Sequence, residues 1–406
     1  MNMKILYINV LYDPFIGGGA EVTLQKLAEG MLKKGHEVSV ISFHDKNKVS
    51  AEKVNGVEVI RAPIKNLYLP CFVGKERPNA LKRSFWHIFD IYNFGSKNLL
   101  ENLLKDLKPD VVSLHNLPGW SISVWDVLYK HKIPCVQVLH DQYLICPRNM
   151  FKKNAVCKKR CLKCEALRYI HKKKSSKLTA VVGVSKFILN KFLNFGYFKD
   201  NPIKRTIYNV RNYDLHKVYN HRKPTDEDIV FGFIGAIAQN KGIEKLLAVF
   251  RNIEKDNWRL IIAGSGESSY FNYLSEKYTH PRISFLGRVK PEEFYPNVDV
   301  TIVPSIWEEP LGVIVFESFI FGKPVIGSNR GGIPEMIQEG VNGEIFDVDS
   351  DGDLANKMVR FTEKISFWRN KNDIIQKSSE KFNNYSVWIE NYEKLYIEVI
   401  EYEKWR

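Results

Sequence analysis

The sequence has no apolar run that approaches the roughly 18 residues of a membrane-spanning helix, so no transmembrane segment is predicted. Its first ten residues hold one lysine and a short apolar run, which is typical of a buried strand and not of a secretory signal. Cysteine is also scarce, with six among 406 residues. Together these absences predict a cytoplasmic protein with reduced thiols.

Acidic residues are nearly absent from one part of the chain. The formal net charge is +14, and between Arg148 and Lys177 the only acid is Glu165, whereas Lys172, Lys173 and Lys174 follow one another. Such an excess favours an anionic partner, either a phosphorylated ligand or an anionic membrane surface, unless it is only a solvated face. No nucleic-acid-binding motif is present, so nucleic acid is not an expected partner.

A second basic group precedes a stretch of aromatic residues. Its members are Lys75, Arg77, Lys82 and Arg83. The following residues up to 107 predict amphipathic helices, with aromatic and leucine side chains at helical spacing. Aromatic and basic residues together are compatible with contact to a membrane surface, but packing into an ordinary core is the simpler interpretation.

Length and hydrophobic content predict two domains of the α/β class. Both parts of the chain show short apolar runs followed by glycine turns and helical patterns, as in Rossmann-like domains. The polar stretch 211–228, interrupted by Pro224, predicts a linker. The expected organisation is a first domain at 1–209, a linker at 210–228, a second domain at 229–384 and a final helix at 385–406.

A glycine loop follows the first predicted strand. Gly17, Gly18 and Gly19 precede a helix that begins near Glu21, which is half of a Rossmann unit. Val22 stands where a dinucleotide fingerprint requires its third glycine. The loop therefore argues against a nicotinamide-dependent dehydrogenase, and a tight structural turn is the alternative to a ligand site.

Two histidines follow two predicted strands. His115 ends the run from Val111 and is followed by Asn116, and His140 ends the run from Cys135 and is followed by Asp141. Open α/β sheets bind ligands at the carboxyl ends of their strands, so both histidines are candidates for a site as well as for structural roles. Asp141 is positioned to orient His140.

Two acids flank the start of a predicted helix that opens at Leu311 and Gly312. Glu309 lies just before it, and Glu317 lies eight residues further on. The first amides of a helix form an anion site, and a glycine there lets a phosphate approach. Glu317 can accept hydrogen bonds from a diol such as ribose. The alternatives are that Glu309 caps the helix and that Glu317 is a solvated acid.

Four cysteines form a cluster in the sequence, at Cys146, Cys157, Cys161 and Cys164. The last pair resembles half of a zinc knuckle, and four thiols suit a tetrahedral structural zinc site. The spacing is not that of a standard zinc finger. A structural zinc ion, a disulfide-type link and free thiols therefore all stay open.

The stretch E-P-L-G-x-x-x-x-E, followed by G-K-P-V-I and G-G-I-P-E, resembles the E-x7-E signature of the retaining glycosyltransferases of family 4. This resemblance implies the GT-B fold, in which two Rossmann-like domains face each other across a cleft. It also implies that Glu309 contacts the donor sugar and that Glu317 contacts the ribose of the donor nucleotide.

The resemblance implies further site residues. On the donor side they are Gly18, Gly19, Lys241, Gly266, Arg288, Leu311, Gly312 and Val313. On the acceptor side they are Glu21, His115 and Asn116. His140, Asp141 and Glu309 are the implied catalytic residues. The family usually has an arginine directly after the glycine at 235, but this chain has Ala236, so one of two expected diphosphate-binding cations is missing.

The implied reaction is retaining transfer of a hexosyl unit from a nucleoside diphosphate sugar to a hydroxyl of a saccharide, with no metal required for catalysis. The basic residues of the first domain favour a lipid-linked saccharide acceptor at the inner face of the cytoplasmic membrane, as in bacterial surface-polysaccharide synthesis. Two alternatives stay open. One is an epimerase or hydrolase of sugar nucleotides, and the other is a sugar-nucleotide-binding protein without catalytic activity.

Overall fold

Two compact units make up the protein. The computed structural model describes residues 2–69, 78–213 and 228–405. One unit comprises Met1–Met150, Lys158–Tyr208 and Ser386–Arg406, and the other comprises Phe151–Cys157 and Asn209–Tyr385. Each unit has its own sheet and its own buried core.

The strands follow the predicted pattern of short apolar runs. In chain order they are β1 (Lys4–Ile8), β2 (Glu37–His44), β3 (Ser50–Val54), β4 (Val57–Pro63), β5 (Val111–Leu114), β6 (Cys135–Leu139), β7 (Phe151–Lys152), β8 (Ala155–Val156), β9 (Ala180–Gly183), β10 (Ile203–Thr206), β11 (Ile229–Ile234), β12 (Trp258–Ala263), β13 (Ile283–Gly287), β14 (Val300–Val303), β15 (Val325–Ser328) and β16 (Gly343–Phe346).

Helices fill most of the connections between these strands. In chain order they are α1 (Gly19–Lys33), α2 (Ala80–Phe89), α3 (Phe94–Leu107), α4 (Ser123–Lys130), α5 (Leu162–Lys174), α6 (Lys186–Asn194), α7 (Ile243–Arg251), α8 (Ser268–Lys277), α9 (Pro291–Phe294), α10 (Val313–Ile320), α11 (Asp353–Glu363), α12 (Ile365–Arg369), α13 (Asn372–Ser378), α14 (Glu380–Asn383) and α15 (Tyr385–Trp405). Across residues 2–69, 78–213 and 228–405, none of the helices combines the length and the apolar character needed to cross a membrane.

The first unit is built on an eight-stranded sheet with the order β10-β9-β6-β5-β1-β2-β4-β3. All neighbouring strands are parallel except β3 and β4. In β1, Ile8 pairs with Ile41 on one side and with Leu114 on the other. Since the strand order reverses at β1, the loops after β1 and β5 run in different directions and leave room for a ligand at the carboxyl edge of the sheet.

The second unit has a six-stranded parallel sheet with the order β13-β12-β11-β14-β15-β16. Phe231 of β11 pairs with Leu260 of β12 and with Val300 of β14, so β11 holds the position that β1 holds in the first unit. The loops after β11 and β14 therefore meet at the carboxyl edge, where the sequence places Lys241 and Glu309.

The C-terminal helix α15 belongs to the first unit from Ser386 onward. Its buried face includes Tyr392 and Tyr396, and the ring of Tyr396 meets that of Tyr7 in β1 edge-on, with 6.3 Å between centroids. On the rim, Glu393 pairs with His36 at 3.0 Å. Apolar burial and this hydrogen bond together attach the helix to the sheet.

Several sequence-based boundaries need correction. The helix expected to open at Leu311 begins at Val313, and β3 and β16 had not been predicted. The linker expected at 210–228 falls largely on 214–227, outside the described residues, while Arg211 and Tyr213 belong to the second unit. Lys75 and Arg77 also lie outside the described residues.

The interpretation of this stretch as core holds for Leu100 and Leu104 of α3, which are buried, but it needs correction for α2. In α2 only Trp86 is buried. Leu81, Phe85, Ile88 and Phe89 are 49–68% exposed, and their spacing places them on one face of the helix. An exposed apolar face of this kind is typical of an interaction site.

Candidate active site

The first unit brings His115 and His140 together. Because β5 and β6 are parallel neighbours, the residues that follow them lie side by side at the carboxyl edge of the sheet. Nδ1 of His115 lies 2.8 Å from Nε2 of His140, and the two rings stack with 5.0 Å between centroids. The other nitrogen of His115 lies 3.2 Å from the hydroxyl of Ser113. The two imidazoles therefore form one hydrogen-bonded pair.

Both histidines are held in the neutral form. Burial lowers the pKa of His140 to about 4, and burial together with the neighbouring His140 lowers the pKa of His115 well below its usual value. At pH 7 a neutral imidazole pair can accept a hydrogen bond from a hydroxyl, but the lowered pKa values make both rings weak bases.

Asp141 does not orient His140, contrary to the sequence-based expectation. Its Oδ1 accepts a hydrogen bond from the backbone amide of Tyr143 at 2.9 Å, which fixes the loop after β6. His115 is the residue that holds His140. Burial raises the pKa of Asp141, and the positive charge of Arg168 opposes that rise.

Glu21 forms a second part of this cluster, together with two asparagines. The carboxyl group is buried, which raises its pKa, and hydrogen bonds from the backbone amides of Glu21 and Gly18 oppose the rise, as do those from Asn9 and Asn116. The amide of Asn116 also donates to Oδ1 of Asn9 at 2.9 Å. Gly18 lies directly before α1 and Gly19 begins it, so the glycine loop places Glu21 beside the ends of β1 and β5.

Arg168, Tyr143 and Asp90 are buried together and support the loop after β6. No sequence motif marks them as a group. Arg168 is fully buried, and its guanidinium lies 4.4 Å from the ring centre of Tyr143. The hydroxyl of Tyr143 donates to Asp90, whose other oxygen accepts the amide of Gly119 at 2.6 Å. Burial raises the pKa of Asp90 to about 7, against the charge of Arg168. Arg168 therefore does not belong to a solvated basic face.

The second unit brings Lys241 and Glu309 together. Lys241 precedes α7, and Glu309 lies in the loop between β14 and α10. The ammonium of Lys241 is 2.6 Å from Oε1 of Glu309, and the hydroxyl of Ser305 donates to the same oxygen at 2.8 Å. Lys241 also lies 5.6 Å from the ring centre of Trp307. Glu309 is thus a paired acid and not a helix cap.

Glu317 is buried in α10 and is not a solvated acid. Its Oε1 accepts hydrogen bonds from Nε of Arg211 at 3.2 Å and from the hydroxyl of Tyr213 at 2.8 Å. Both partners come from the stretch that the sequence had predicted to be a linker. Burial, and next to it the charge of Glu317, raise the pKa of Tyr213, which keeps its hydroxyl protonated as a donor.

The start of α10 has the geometry of an anion site. Leu311 is buried, Gly312 has a φ of +83°, and Val313 is the first helical residue. A Cβ atom at position 312 would lie 2.9 Å from Cγ1 of Ile333, so both the dihedral angle and the space require glycine. The first amides of a helix have no intrahelical partner and point outward from its end.

The remaining donor-side candidates lie at the ends of β11, β12 and β13. Gly266 pairs with Ile237 in an isolated bridge, and Nε of Arg288 donates to the hydroxyl of Ser265 at 2.7 Å. Ala236 is exposed, so an arginine would fit at that position. Another cation of this unit, the guanidinium of Arg330, pairs with Asp349 at 2.5 Å.

The cysteines come together only in part. Sγ of Cys164 lies 3.3 Å from that of Cys146 and 3.6 Å from that of Cys161. Cys157 belongs to the other unit. Among the residues that the structure describes, no three cysteine, histidine or acidic side chains have an arrangement that could hold a metal ion. The four-cysteine zinc site, one of the three alternatives for this cluster, therefore gains no support from the structure.

Two family models match this chain. The model of glycosyltransferase family 4 matches residues 17–209, and the model of the glycosyl transferases group 1 matches residues 219–381. An uncharacterized 42.6 kDa protein in the cps region of Klebsiella pneumoniae is 32% identical, over 82% of this chain and 87% of that protein.

Solved structures resemble the fold at low sequence identity. Sucrose-phosphate synthase from Thermosynechococcus elongatus matches with a TM-score of 0.76 and 17% identity, over 98% of this chain and 99% of that one. Anabaena HepE in complex with UDP and glucose matches with a TM-score of 0.70 and 16% identity, over 97% of this chain and 99% of that one.

Proposed function

The chain belongs to glycosyltransferase family 4, and from that premise we propose that it transfers a hexosyl unit from a nucleoside diphosphate sugar to a hydroxyl of a saccharide, with retention of anomeric configuration. The fold is GT-B, as the resemblance had implied. The observation that carries the proposal is the ion pair of Lys241 and Glu309 beside the start of α10, because it combines a cation, a carboxylate and unpaired helix amides at one strand edge.

In the proposed reaction the second unit binds the donor. The amides of Gly312 and Val313 and the ammonium of Lys241 stabilise the negative charge that develops on the leaving diphosphate. Glu309 accepts hydrogen bonds from hydroxyls of the sugar. Glu317, held by Arg211 and Tyr213, accepts those of the ribose. Anabaena HepE, which is similar in fold, binds UDP and glucose, and this supports a nucleotide sugar as the donor.

The first unit supplies the groups that act on the acceptor. His140 is neutral and is hydrogen-bonded to His115, so it can accept a hydrogen bond from the attacking hydroxyl and orient it. Glu21 and Asn116 provide further hydrogen-bonding groups at the same sheet edge. The proposal needs no metal ion, because Lys241 and the helix amides provide the positive charge.

A thermal-shift screen over nucleotides and nucleotide sugars tests the donor assignment, because a bound ligand stabilises by mass action. We expect one nucleoside diphosphate and its sugar to raise the melting temperature. The shift should be lost in Lys241→Ala and kept in Lys364→Ala, which removes an exposed lysine of the same unit. Absence of any nucleotide-dependent shift would contradict the proposal.

Turnover then separates the proposed transferase from its alternatives. Consumption of the donor only when an acceptor is added indicates a transferase. Consumption of the donor alone indicates an epimerase or hydrolase. Binding without consumption under either condition indicates a sugar-nucleotide-binding protein.

We further propose a lipid-linked saccharide acceptor and peripheral association with an anionic membrane, in the synthesis of a surface polysaccharide. The relative in a cps region supports the pathway class. The exposed face of α2 supports membrane contact, because Phe85 and Phe89 adjoin the exposed Lys82. Each basic residue near an anionic leaflet contributes about 1 kcal/mol, so apolar contact and charge together suffice for reversible binding.

Two measurements test this second proposal. The protein should sediment with phosphatidylglycerol vesicles at low salt, and F85S/F89S should stay in the supernatant, whereas Phe367→Ser, at a comparably exposed ring of the other unit, should sediment normally. In a membrane extract with labelled donor, label should enter the organic phase. Label found only in water-soluble product would refute the lipid-linked acceptor.

A further inference from the structure

A surface pocket with a volume of about 380 Å³ lies in the first unit, away from the histidine pair. It is lined by the end of α5 and the turn that follows it, which lead into β9, and by the loop that leads into β10. His115 and His140 follow β5 and β6 instead. Because β5, β6, β9 and β10 are parallel, the pocket is at the amino edge of the sheet and the histidines are at its carboxyl edge.

Three lysines of this pocket have no ion-pair partner within the described residues. Lys172, Lys173 and Lys199 are exposed, and none lies within 4 Å of a described carboxylate. The neighbouring Lys174 and Lys177 differ, since both pair with Asp126 and lie over tyrosine rings. Lys174 and Lys177 therefore stabilise the fold, whereas Lys172 and Lys173 are available to bind a ligand.

The pocket is held in shape by Ser175. This residue is buried, and its hydroxyl donates to the carbonyl of Lys172 at 2.7 Å and accepts the amide of Phe198 at 2.9 Å. It thereby ties the end of α5 to the loop before β10. Gly196, at a φ of +83°, leaves space for Lys172, because a Cβ atom there would lie 2.9 Å from the lysine nitrogen.

Ser175 and its neighbour Ser176 donate hydrogen bonds to helix carbonyls that would otherwise repel an anion. The carbonyls at the end of a helix carry partial negative charge. Ser175 occupies the carbonyl of Lys172, and Ser176 donates to that of Lys173 at 3.2 Å. One carboxylate, Asp200, also lines the pocket, so three positive charges face one negative charge.

We infer that this pocket binds a phosphate group. Three lysines around a pre-shaped cavity match the charge of a phosphate, and lysine binds phosphate as a point charge. The volume is in the range of small-molecule sites, and the exposed ring of Tyr169 gives a surface for the group that the phosphate carries. A lipid headgroup and a free phosphate ester share this chemistry. The inference does not depend on the transfer reaction.

Site-resolved protection tests the inference in the full-length protein. Lysines are acetylated with and without inorganic phosphate and quantified by mass spectrometry. We expect phosphate to slow acetylation of Lys172, Lys173 and Lys199 together, with one half-maximal concentration. Three exposed lysines of the same unit, Lys46, Lys48 and Lys53, serve as the control. Equal protection of both sets, or protection of neither, would overturn the inference.

Variants give the second readout. K172Q/K173Q/K199Q should raise the dissociation constant for inorganic phosphate at least about tenfold, the scale of one lost charged hydrogen bond. K46Q/K48Q/K53Q should leave it unchanged. An unchanged dissociation constant in the first variant would also overturn the inference.

Vesicles then identify the source of the phosphate. If phosphatidylglycerol vesicles protect the three lysines and phosphatidylcholine vesicles with the same lipid content protect them less, the ligand is an anionic headgroup. If inorganic phosphate protects and neither vesicle does, the ligand is a free phosphate ester. Either result identifies the source of the phosphate, and in both cases an absence of protection by inorganic phosphate contradicts the site.

Discussion

The ammonium of Lys241 and the carboxylate of Glu309 form one ion pair at 2.6 Å, with the hydroxyl of Ser305 on the same oxygen. The residues that the resemblance relates to the diphosphate and to the sugar are thus coupled to each other. Substitution of either leaves the other partner without its counter-charge in a partly buried place. Their contributions to catalysis should therefore be measured as a pair.

Glu309→Ala should lower kcat/KM for transfer at least about a hundredfold while the fold stays intact, because charged hydrogen bonds to the sugar are lost. The effect should be less than additive with that of Lys241→Ala, since each variant already breaks the shared ion pair. Steady-state kinetics of both single variants and the double variant measure this. Glu276→Ala, at an exposed acid of the same unit, is the control. A near-normal rate would refute the role of Glu309.

Glu317→Ala should also lower transfer at least about a hundredfold, because the ribose loses its acceptor. It removes the carboxylate that pairs with the buried guanidinium of Arg211, so a loss of thermal stability should accompany the loss of rate. Tyr213→Phe removes one hydrogen bond to the same oxygen and should have a smaller effect on both quantities. If Glu317→Ala transfers at the normal rate with the correct donor, the ribose assignment is wrong.

His140→Ala should lower turnover more than donor affinity, because the imidazole is assigned to the acceptor and not to the nucleotide. Nucleotide binding by calorimetry and kcat from the transfer assay separate the two quantities. Glu317→Ala supplies the opposite case, in which nucleotide affinity falls. A collapse of nucleotide affinity in His140→Ala, together with normal turnover, would contradict the assigned role.

The histidine pair should make stability depend on pH. The pKa of His140 is about 4 in the folded protein, so between pH 6.5 and 4 the unfolded chain binds a proton that the folded chain does not. The free energy of unfolding should therefore fall as the pH is lowered through this range and gain nothing further from this group above pH 6.5. His140→Gln should remove the part of this pH dependence that comes from His140. The difference in urea midpoint between the variant and the wild type, taken at each pH, measures that part. Parallel curves for the two proteins would refute the neutral state assigned to His140.

Gly312→Ala should weaken donor binding at least about tenfold, because the new Cβ would press on Ile333 and move the first amides of α10. Alanine in the left-handed conformation alone costs roughly 1–2 kcal/mol. Gly340→Ala is the matched control, since Gly340 has a φ of +74° and open space around its Cβ position. Gly340→Ala should lose stability because alanine is strained in the left-handed conformation, and it should keep its affinity for the donor. Equal donor affinities in the two variants would argue against an anion site at α10.

Most strands could be predicted because they are short buried runs of branched residues followed by glycine or polar turns. The strands that were missed lack this signal. β3 has the sequence S-A-E-K-V, and four of its five residues are exposed. It is an edge strand that pairs antiparallel with β4, so its structure depends on a neighbour and not on its own hydrophobic pattern.

The candidate site was predictable where a motif or a strand end marks it. Glu309, Glu317, His115 and His140 all carry such a local signal. Arg211 and Arg168 do not, because one lies in a polar stretch and the other in a basic part of the chain. What makes each of them important is a long-range contact, such as that between Arg211 and Glu317, which are 106 residues apart. Burial of a single arginine leaves no periodic trace in the sequence.

The position of α15 has a consequence for biosynthesis. The sheet of the first unit is complete in sequence at Thr206, yet Tyr7 in its central strand packs against Tyr396. Residues 209–385, which form most of the second unit, are translated between these two parts. On the ribosome, the surface that α15 covers therefore stays open to solvent while the whole second unit is made. A nascent chain of this protein is an expected client of chaperones that bind exposed apolar surface.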